Sequence, residues 1–208
     1  MKDEQDYIRD IAEIRSMMER SSKFLSLSGW AGIMAGIYAL AGAYIAYNVY
    51  SFNPHELVNN QIHLENVSYN LPNVIFLAIV ILILAVCTAS FLSYRKAKKR
   101  DEKVWNATSR RLLANMAVPL LAGGILILIL LSKGIIGLIA PLTLLFYGLA
   151  IYNASKFSYD EMKFLGLIQV GLGLAGCWFI DYGILLWAIG FGVVHIVYGI
   201  YMHFRYER

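Results

Sequence analysis

Residues 74–100 read VIFLAIVILILAVCTASFLSYRKAKKR, an uncharged apolar run that ends in a cluster of basic residues. A helix needs about twenty predominantly apolar residues to cross the ~30 Å hydrocarbon core of a bilayer, because it rises only about 1.5 Å per residue. The run has that length and carries no charge before Arg95. It therefore predicts a membrane-spanning helix whose end meets a positively charged surface.

The composition of the whole chain agrees with a membrane protein. Hydrophobic residues make up 59% of the 208 positions and charged residues only 15%, whereas a soluble domain has about 25% charged residues. Five further runs reach or approach the length of a span, so the predicted fold is an all-α bundle of six transmembrane helices. The predicted spans cover residues 27–50, 73–94, 112–131, 135–152, 164–180 and 184–202.

The basic residues predict the orientation of this bundle. Seventeen of the eighteen Lys and Arg residues fall on one side of the six-span map, and only Lys133 falls on the other. Because Lys and Arg in short loops resist translocation, both termini are expected in the cytoplasm. We therefore expect a multi-pass membrane protein. The net charge of +4 reflects this bias and does not indicate binding to nucleic acid.

Residues 1–26 are predicted to form a cytoplasmic amphipathic helix ahead of a transmembrane domain of residues 27–208. Apolar residues recur in this helix at spacings of four, three and four, which is the rhythm of a helix-packing seam. These residues are Tyr7, Ile11, Ile14 and Met18. The seam could pack on the protein's own cytoplasmic face, pair with a second copy in a homodimer, or lie among lipid headgroups.

The loop between the second and third predicted spans is the most basic part of the chain and reads YRKAKKRDEKVWNATSRR over residues 94–111. Each basic residue near a membrane surface contributes about 1 kcal/mol of attraction to anionic lipid. The loop is therefore a candidate contact for anionic lipid or for an acidic cytoplasmic protein. Alternatively, its charge does no more than fix the topology.

Small residues in the spans indicate close helix packing. Lipid provides no hydrophobic drive for helix association, so helices in membranes approach one another through glycine and alanine. The glycines assigned to packing are Gly32, Gly36, Gly190 and Gly199. They are expected to bring helices of one chain together, with a dimer contact through the first span as the alternative.

Polar side chains within the spans predict one candidate site. At about 1.5 Å per residue from the cytoplasmic ends, four of them fall at depths of roughly 7–10 Å, and a fifth lies slightly nearer the cytoplasm. The five residues are His195, Gln169, Tyr147, Thr88 and Asn115. Unpaired polar groups are costly in lipid, so these side chains should meet one another or water. They either line a cytoplasm-facing ligand cavity or form hydrogen bonds that fix the helix register.

The sequence IRSMMERSSKF at residues 14–24, followed by LSG at residues 27–29 and a first span rich in small residues, resembles a group of small bacterial membrane proteins with six predicted spans. The likeness covers about residues 8–45 and contains no catalytic motif. It implies a bacterial inner-membrane location. No activity is known for the group, so none is carried over.

No set of residues in the spans matches a known type of catalytic centre. Intramembrane hydrolases need metal-binding His and Asp sets, or a nucleophile beside its base, and His195 is the only histidine within a predicted span. We therefore expect neither enzymatic activity nor a cofactor or bound metal. The favoured function is a binding or regulatory module that acts through its cytoplasmic face. The alternative is a transporter or channel for a small molecule, lipid or ion, with a polar cavity in the inner leaflet.

Overall fold

The computed structural model describes residues 7–11, 14, 23–24, 27–52, 64–99 and 105–207. All regular secondary structure in these parts of the chain is helical. The main helices are α1 (Gly29–Tyr44, continued as a π-helix over Ile45–Val49), α2 (Leu64–Lys99), α3 (Ala107–Ser132), α4 (Ile139–Ala154), α5 (Glu161–Trp178) and α6, which joins Gly183–Trp187, the π-helix Ala188–Val194 and His195–Tyr206. Short 3-10 turns, Ser155–Phe157 and Ile180–Tyr182, precede α5 and α6.

Four helical runs in the described ranges are long and apolar enough to cross a membrane. They are Gly29–Val49, Asn70–Lys99, Ala107–Ser132 and Ile180–Tyr206. Each overlaps one predicted span, which confirms the helical class and the apolar length of those four spans. α4 and α5 are shorter, with 16 and 18 residues. α2 extends past the predicted end of its span to Lys99, because Lys and Arg are good helix formers.

The helices pack side by side, with α6 near the middle. α6 contacts α1 on one side and α4 and α5 on the other, while α2 packs on α1 and α3 packs on α4. The side chains of α2 are largely uncovered, with Phe76 at 69%, Leu82 at 63% and Ile83 at 55% exposure. Such an outer surface suits a bilayer, because soluble proteins leave only small apolar patches exposed.

The basic end of the bundle is the end where α1, α3 and α5 begin and where α2, α4 and α6 end. A buried apolar cluster lies there and includes Phe24, Leu112, Ile151, Met162 and Met202. The connection between α4 and α5 is at the same end, because the Phe24 N–H donates to the Phe157 carbonyl (2.7 Å) and Lys23 pairs with Asp160 (3.1 Å). The cluster therefore joins the segment before α1 to the second half of the bundle.

α4 and α5 approach each other closely through glycines. A Cβ atom added to Gly148 would lie 2.7 Å from the carbonyl oxygen of Gly166, and one added to Gly166 would lie 2.8 Å from that of Gly148. Farther along the same crossing, a Cβ atom on Gly173 would lie 2.7 Å from the backbone nitrogen of Leu145. The two backbones therefore touch, and this contact fixes the relative positions of the polar side chains carried by α4 and α5.

Candidate functional site

Three of the five predicted site residues meet where α4, α5 and α6 pack together. The hydroxyl oxygen of Tyr147 on α4 lies 2.8 Å from Nε2 of His195 on α6. Nδ1 of His195 and Nε2 of Gln169 on α5 lie 2.9 Å and 2.7 Å from the carbonyl oxygen of Gly190. Gln169 is fully buried, and His195 is 5% exposed. These four residues are the polar cluster of the bundle.

The hydrogen bonds assign a direction to each proton in the polar cluster. The Gly190 carbonyl can only accept, so Nδ1 of His195 carries a proton and donates it there. In the neutral ring Nε2 is then an acceptor and receives the hydroxyl hydrogen of Tyr147. The 3.4 Å approach of Nε2 of Gln169 to Nδ1 of His195 joins two donors and is not a hydrogen bond. The ring is thereby held in one orientation between α4 and its own helix.

The side-chain oxygen of Gln169 is the unsatisfied part of the polar cluster. Oε1 is buried and has no hydrogen-bond partner among the residues that the structure describes. An unpaired buried acceptor costs about 1–3 kcal/mol. Rotating the side-chain amide by 180° does not satisfy the cluster, because Nε2 would then lose its hydrogen bond to the Gly190 carbonyl. A small hydrogen-bond donor, either water or a polar group of a ligand, would complete the cluster.

A π-helical segment, Ala188–Val194, brings the Gly190 carbonyl within reach of two side chains. A π-helical turn is wider than an α-helical turn and is frequent at functional sites. Gly190 has no room for a side chain, because a Cβ atom there would lie 2.6 Å from Oε1 of Gln169 and 2.5 Å from Cδ2 of Leu144. The glycine that the sequence assigned to helix packing therefore also serves the polar cluster.

Aromatic rings pack against the polar cluster on the side of the start of α6. The ring of Phe191 stacks on that of His195 at 5.7 Å and lies 4.9 Å from that of Tyr147, measured between ring centres. Trp187 follows at 5.1 Å from Phe191 and donates from Nε1 to the Thr143 hydroxyl at 3.1 Å. No sequence pattern marks Phe191, because an aromatic residue in an apolar span gives no signal of its own.

Thr88 and Asn115, the other two predicted site residues, lie outside the polar cluster. The Thr88 hydroxyl is 3.3 Å from the Tyr38 hydroxyl, between α1 and α2. Asn115 is exposed, and its side-chain amide donates to the Arg111 carbonyl of its own helix at 2.8 Å. Of the predicted layer of four residues, with Asn115 slightly nearer the cytoplasm, the structure brings together Tyr147, Gln169 and His195. Depth along a span does not determine which way a side chain faces.

The packing glycines of α1 and α6 face each other within the chain. A Cβ atom on Gly36 would lie 2.6 Å from the carbonyl oxygen of Gly192, and one on Gly199 would lie 2.5 Å from that of Gly29. One on Gly32 would lie 3.2 Å from the Cα atom of Gly199. α6 therefore occupies the glycine face of α1 that was the alternative candidate for a dimer contact.

The described part of the predicted amino-terminal helix, residues 7–11 and 14, is helical. Its apolar stripe consists of Tyr7, Ile8, Ile11 and Ile14, which are between 57% and 69% exposed. Met18, the fourth residue of the predicted seam, lies outside the described residues. Among the described residues, little of the chain therefore covers the apolar stripe.

A second polar group, which no sequence pattern indicates, connects helix ends at the basic end. Lys96 of α2 pairs with Glu207, just beyond α6, at 3.0 Å. Glu207 also accepts hydrogen bonds from the Gly29 N–H at 2.9 Å and from Nδ1 of His203 at 2.8 Å. Burial by itself would raise the pKa of the Glu207 carboxyl, but the hydrogen bonds from His203, Gly29 and Lys96 lower it to about 2. Glu207 is therefore a charged carboxylate shared by three helices.

No protein family, curated protein or solved structure matches this chain. The resemblance of residues 8–45 to six-span bacterial proteins thus stays an expectation. In the part of the chain that the structure describes, no group of three or more His, Cys, Asp and Glu side chains could hold a metal ion. Two features of the chain bear on its function, the polar cluster inside the bundle and the apolar stripe near the amino terminus.

Proposed function

We propose that the chain is a six-span protein of the bacterial inner membrane with both termini in the cytoplasm. Support for α4 and α5 as spans comes from their connection, which is bound to Lys23 and Phe24 at the end where α1 begins. With 16 and 18 residues, the two helices rise about 24 and 27 Å. These lengths approach the ~30 Å hydrocarbon thickness, and a small mismatch has only a modest cost.

Thiol labelling in intact cells tests this topology. The two native cysteines, Cys87 and Cys177, are replaced by serine, and one new cysteine is introduced by Lys133→Cys or by Lys156→Cys. A membrane-impermeant maleimide should label the first variant from outside and the second only after the cells are permeabilised. Labelling of both from the same side would contradict six spans, because the two positions flank α4 at opposite ends.

The proposed function is that of a non-enzymatic binding or regulatory module that acts through its cytoplasmic face. The observation that carries this proposal is the apolar stripe of Tyr7, Ile8, Ile11 and Ile14, which is exposed and precedes the first span. An exposed apolar stripe on a helix is typical of a surface that binds a partner. The basic end of the bundle, where α1 begins, adds positive charge to that face.

We assign a second copy of this chain as the partner of the apolar stripe. A seam with spacings of four and three is self-complementary in a symmetric helix pair. Two heptads are too short to form a stable pair in isolation. Two chains anchored in the same membrane, however, meet at a high effective concentration, which offsets the weakness of a short seam.

Native mass spectrometry of the chain released gently from its membrane tests this function. The unmodified chain should be a dimer, and both deletion of residues 2–22 and the substitution Ile11→Asp should yield monomers. Asp10→Ala is the matched control, because Asp10 immediately precedes Ile11 on the same helix and is also exposed. This variant should keep the dimer. A monomeric unmodified chain, or a dimer that survives Ile11→Asp, would contradict a dimer formed through the stripe.

Transport of a small polar molecule is the second candidate function, and the unpaired Oε1 of Gln169 favours it. A ligand hydroxyl or ammonium group could donate to this oxygen beside His195. The same native mass spectra would then show a retained small molecule. Gln169→Met, which keeps the length of the side chain but removes the amide, and His195→Ala should abolish that retention. Unchanged retention in both variants would count against a ligand at the polar cluster.

A further inference from the structure

A groove lies between α1 and α2 and is open to the outside of the bundle. It is lined by Trp30 and Met34 of α1 and by Cys87, Thr88, Phe91 and Leu92 of α2. The hydroxyl of Thr88 is directed to that of Tyr38, at 3.3 Å. The other lining side chains are mainly apolar, and Trp30 and Phe91 are 49% and 58% exposed. The groove is therefore an apolar surface that the described chain leaves uncovered.

Basic residues follow the groove toward the basic end of the bundle. Arg95 is one helical turn beyond Phe91, with its guanidinium carbon 5.7 Å from the centre of the Phe91 ring. Lys98 and Lys99 come next on α2, and all three basic side chains are exposed. Within the described residues none of the three forms an ion pair, whereas Lys96 turns inward to the Glu207 carboxylate. Arg95, Lys98 and Lys99 are the basic patch.

The order of these groups matches the order of the parts of a phospholipid. From Thr88 to Arg95 the α2 axis rises about 10 Å, so the basic patch begins about two helical turns beyond Thr88. Trp30 and Phe91 both line the groove, and tryptophan is enriched where the hydrocarbon core meets the headgroups. No acidic side chain belongs to the lining of the groove to oppose a negative charge.

We propose that the groove binds one anionic phospholipid, with an acyl chain in the groove and the phosphate headgroup at the basic patch. The proposal requires α1 and α2 to cross the membrane and is independent of the apolar stripe and of any dimer. A zwitterionic lipid could fill the same groove but would gain less from the basic patch. Each basic residue contributes about 1 kcal/mol, or about fivefold in affinity. Three such residues give at most roughly a hundredfold, so the expected preference for anionic lipid over zwitterionic lipid, which also carries a phosphate, is between about tenfold and a hundredfold.

Quenching of Trp30 fluorescence by brominated lipids tests the proposal. Trp105, Trp178 and Trp187 are replaced by phenylalanine, and the chain is reconstituted into phosphatidylcholine vesicles that contain either brominated phosphatidylglycerol or brominated phosphatidylcholine. Half-maximal quenching should need about tenfold less of the brominated anionic lipid. A matched chain that keeps only Trp178, which is 83% exposed and lies at the end of α5 away from the basic end, should respond equally to the two lipids.

Charge variants separate the basic patch from the groove. Arg95→Gln, Lys98→Gln and Lys99→Gln together should abolish the preference of Trp30 for the anionic lipid while leaving quenching by phosphatidylcholine. Lys156→Gln with Lys163→Gln, which removes two exposed charges from the α4–α5 side of the basic end, should keep the preference. With the basic patch intact, raising the salt concentration should weaken the preference for the anionic lipid, because salt screens exposed charges.

Three outcomes would overturn the proposal. They are equal quenching of Trp30 by both lipids, a preference that survives the triple glutamine variant, and no quenching of Trp30 by either lipid. Native mass spectrometry of the chain with all four tryptophans supplies a second reading that does not depend on tryptophan replacement. Phosphatidylglycerol should be retained by that chain and lost from the triple glutamine variant, and equal retention by both would also overturn the proposal.

Discussion

The carboxylate of Glu207 lies 3.0 Å from the ammonium group of Lys96, and both side chains are only 12% exposed. This ion pair joins the residue after α6 to the last turn of α2. The same carboxylate accepts the N–H of Gly29, the first residue of α1, at 2.9 Å. One acid therefore holds the ends of three helices at the basic end, in a position where Lys96 has little access to water.

Replacing Glu207 by Gln should destabilise the chain. The amide keeps the shape of the side chain but removes the charge that compensates Lys96, whose contacts with the Leu27 carbonyl and the Tyr159 hydroxyl are with neutral groups. We expect a loss of about 1–3 kcal/mol. The free energy of unfolding in detergent micelles measures this loss. Asp160→Asn is the control, because Asp160 is 82% exposed in its pair with Lys23 and such surface pairs contribute about 0–1 kcal/mol. Equal losses in the two variants would contradict a special role for Glu207.

The stability of the chain should also depend on pH through Glu207. Its pKa in the folded state is lowered from 4.5 to about 2, so the unfolded chain binds a proton more readily than the folded one. The stabilising contribution is therefore complete above pH 4.5 and is lost as the pH falls from 4.5 toward about 2. The difference in unfolding free energy between the unmodified chain and Glu207→Gln should shrink over that range. A difference that stays constant down to about pH 2 would contradict this assignment.

Gly199→Ala should separate α1 from α6. A Cβ atom at this position would lie 2.5 Å from the carbonyl oxygen of Gly29 and 2.7 Å from the backbone nitrogen of Ile33, and backbone atoms cannot move aside as a side chain can. We expect a loss of about 1–3 kcal/mol in unfolding free energy. Gly171→Ala is the matched control, because no atom lies within 4 Å of its added Cβ. That variant should be neutral or slightly more stable, since alanine favours helix.

The sequence predicted the parts of this fold that depend on one helix at a time. Apolar length alone placed the four long helices. Depth along a span also brought Tyr147, Gln169 and His195 to one level. Thr88 and Asn115 lie outside the polar cluster because depth gives only the position along the helix axis. The direction in which each side chain points is set by packing between helices, which no single helix encodes.

Sequence patterns did not predict the contacts between distant parts of the chain. Lys96 belonged to a basic loop whose charges all suited topology, and nothing in its surroundings marked it as the one that turns inward. Glu207 was one acid in a basic tail. Likewise, the role of the Gly190 carbonyl depends on a π-helical segment, and local composition does not predict such a segment. The Lys96–Glu207 pair follows from how α1, α2 and α6 meet, and the role of the Gly190 carbonyl follows from how α5 meets α6.

Tyr147→Phe should distinguish a structural polar cluster from a ligand site. The substitution removes the hydroxyl hydrogen that Nε2 of His195 receives at 2.8 Å, so a buried acceptor is left unpaired and stability should fall by about 1–2 kcal/mol. Tyr152→Phe, five residues along the same helix, is the control and should be neutral, because the described residues provide no hydrogen-bond partner for its hydroxyl.

Stability and ligand retention should be measured on the same Tyr147→Phe preparation. If stability falls and any retained small molecule stays bound, the bond from Tyr147 only orients His195, and the polar cluster fixes the register of α4 against α6. If the molecule is lost while stability is unchanged, the hydroxyl contacts the ligand instead. Unchanged stability and unchanged retention together would contradict the hydrogen bond between Tyr147 and His195. This bond could be lost without a cost in stability only if water replaced the Tyr147 hydroxyl, and His195 is only 5% exposed.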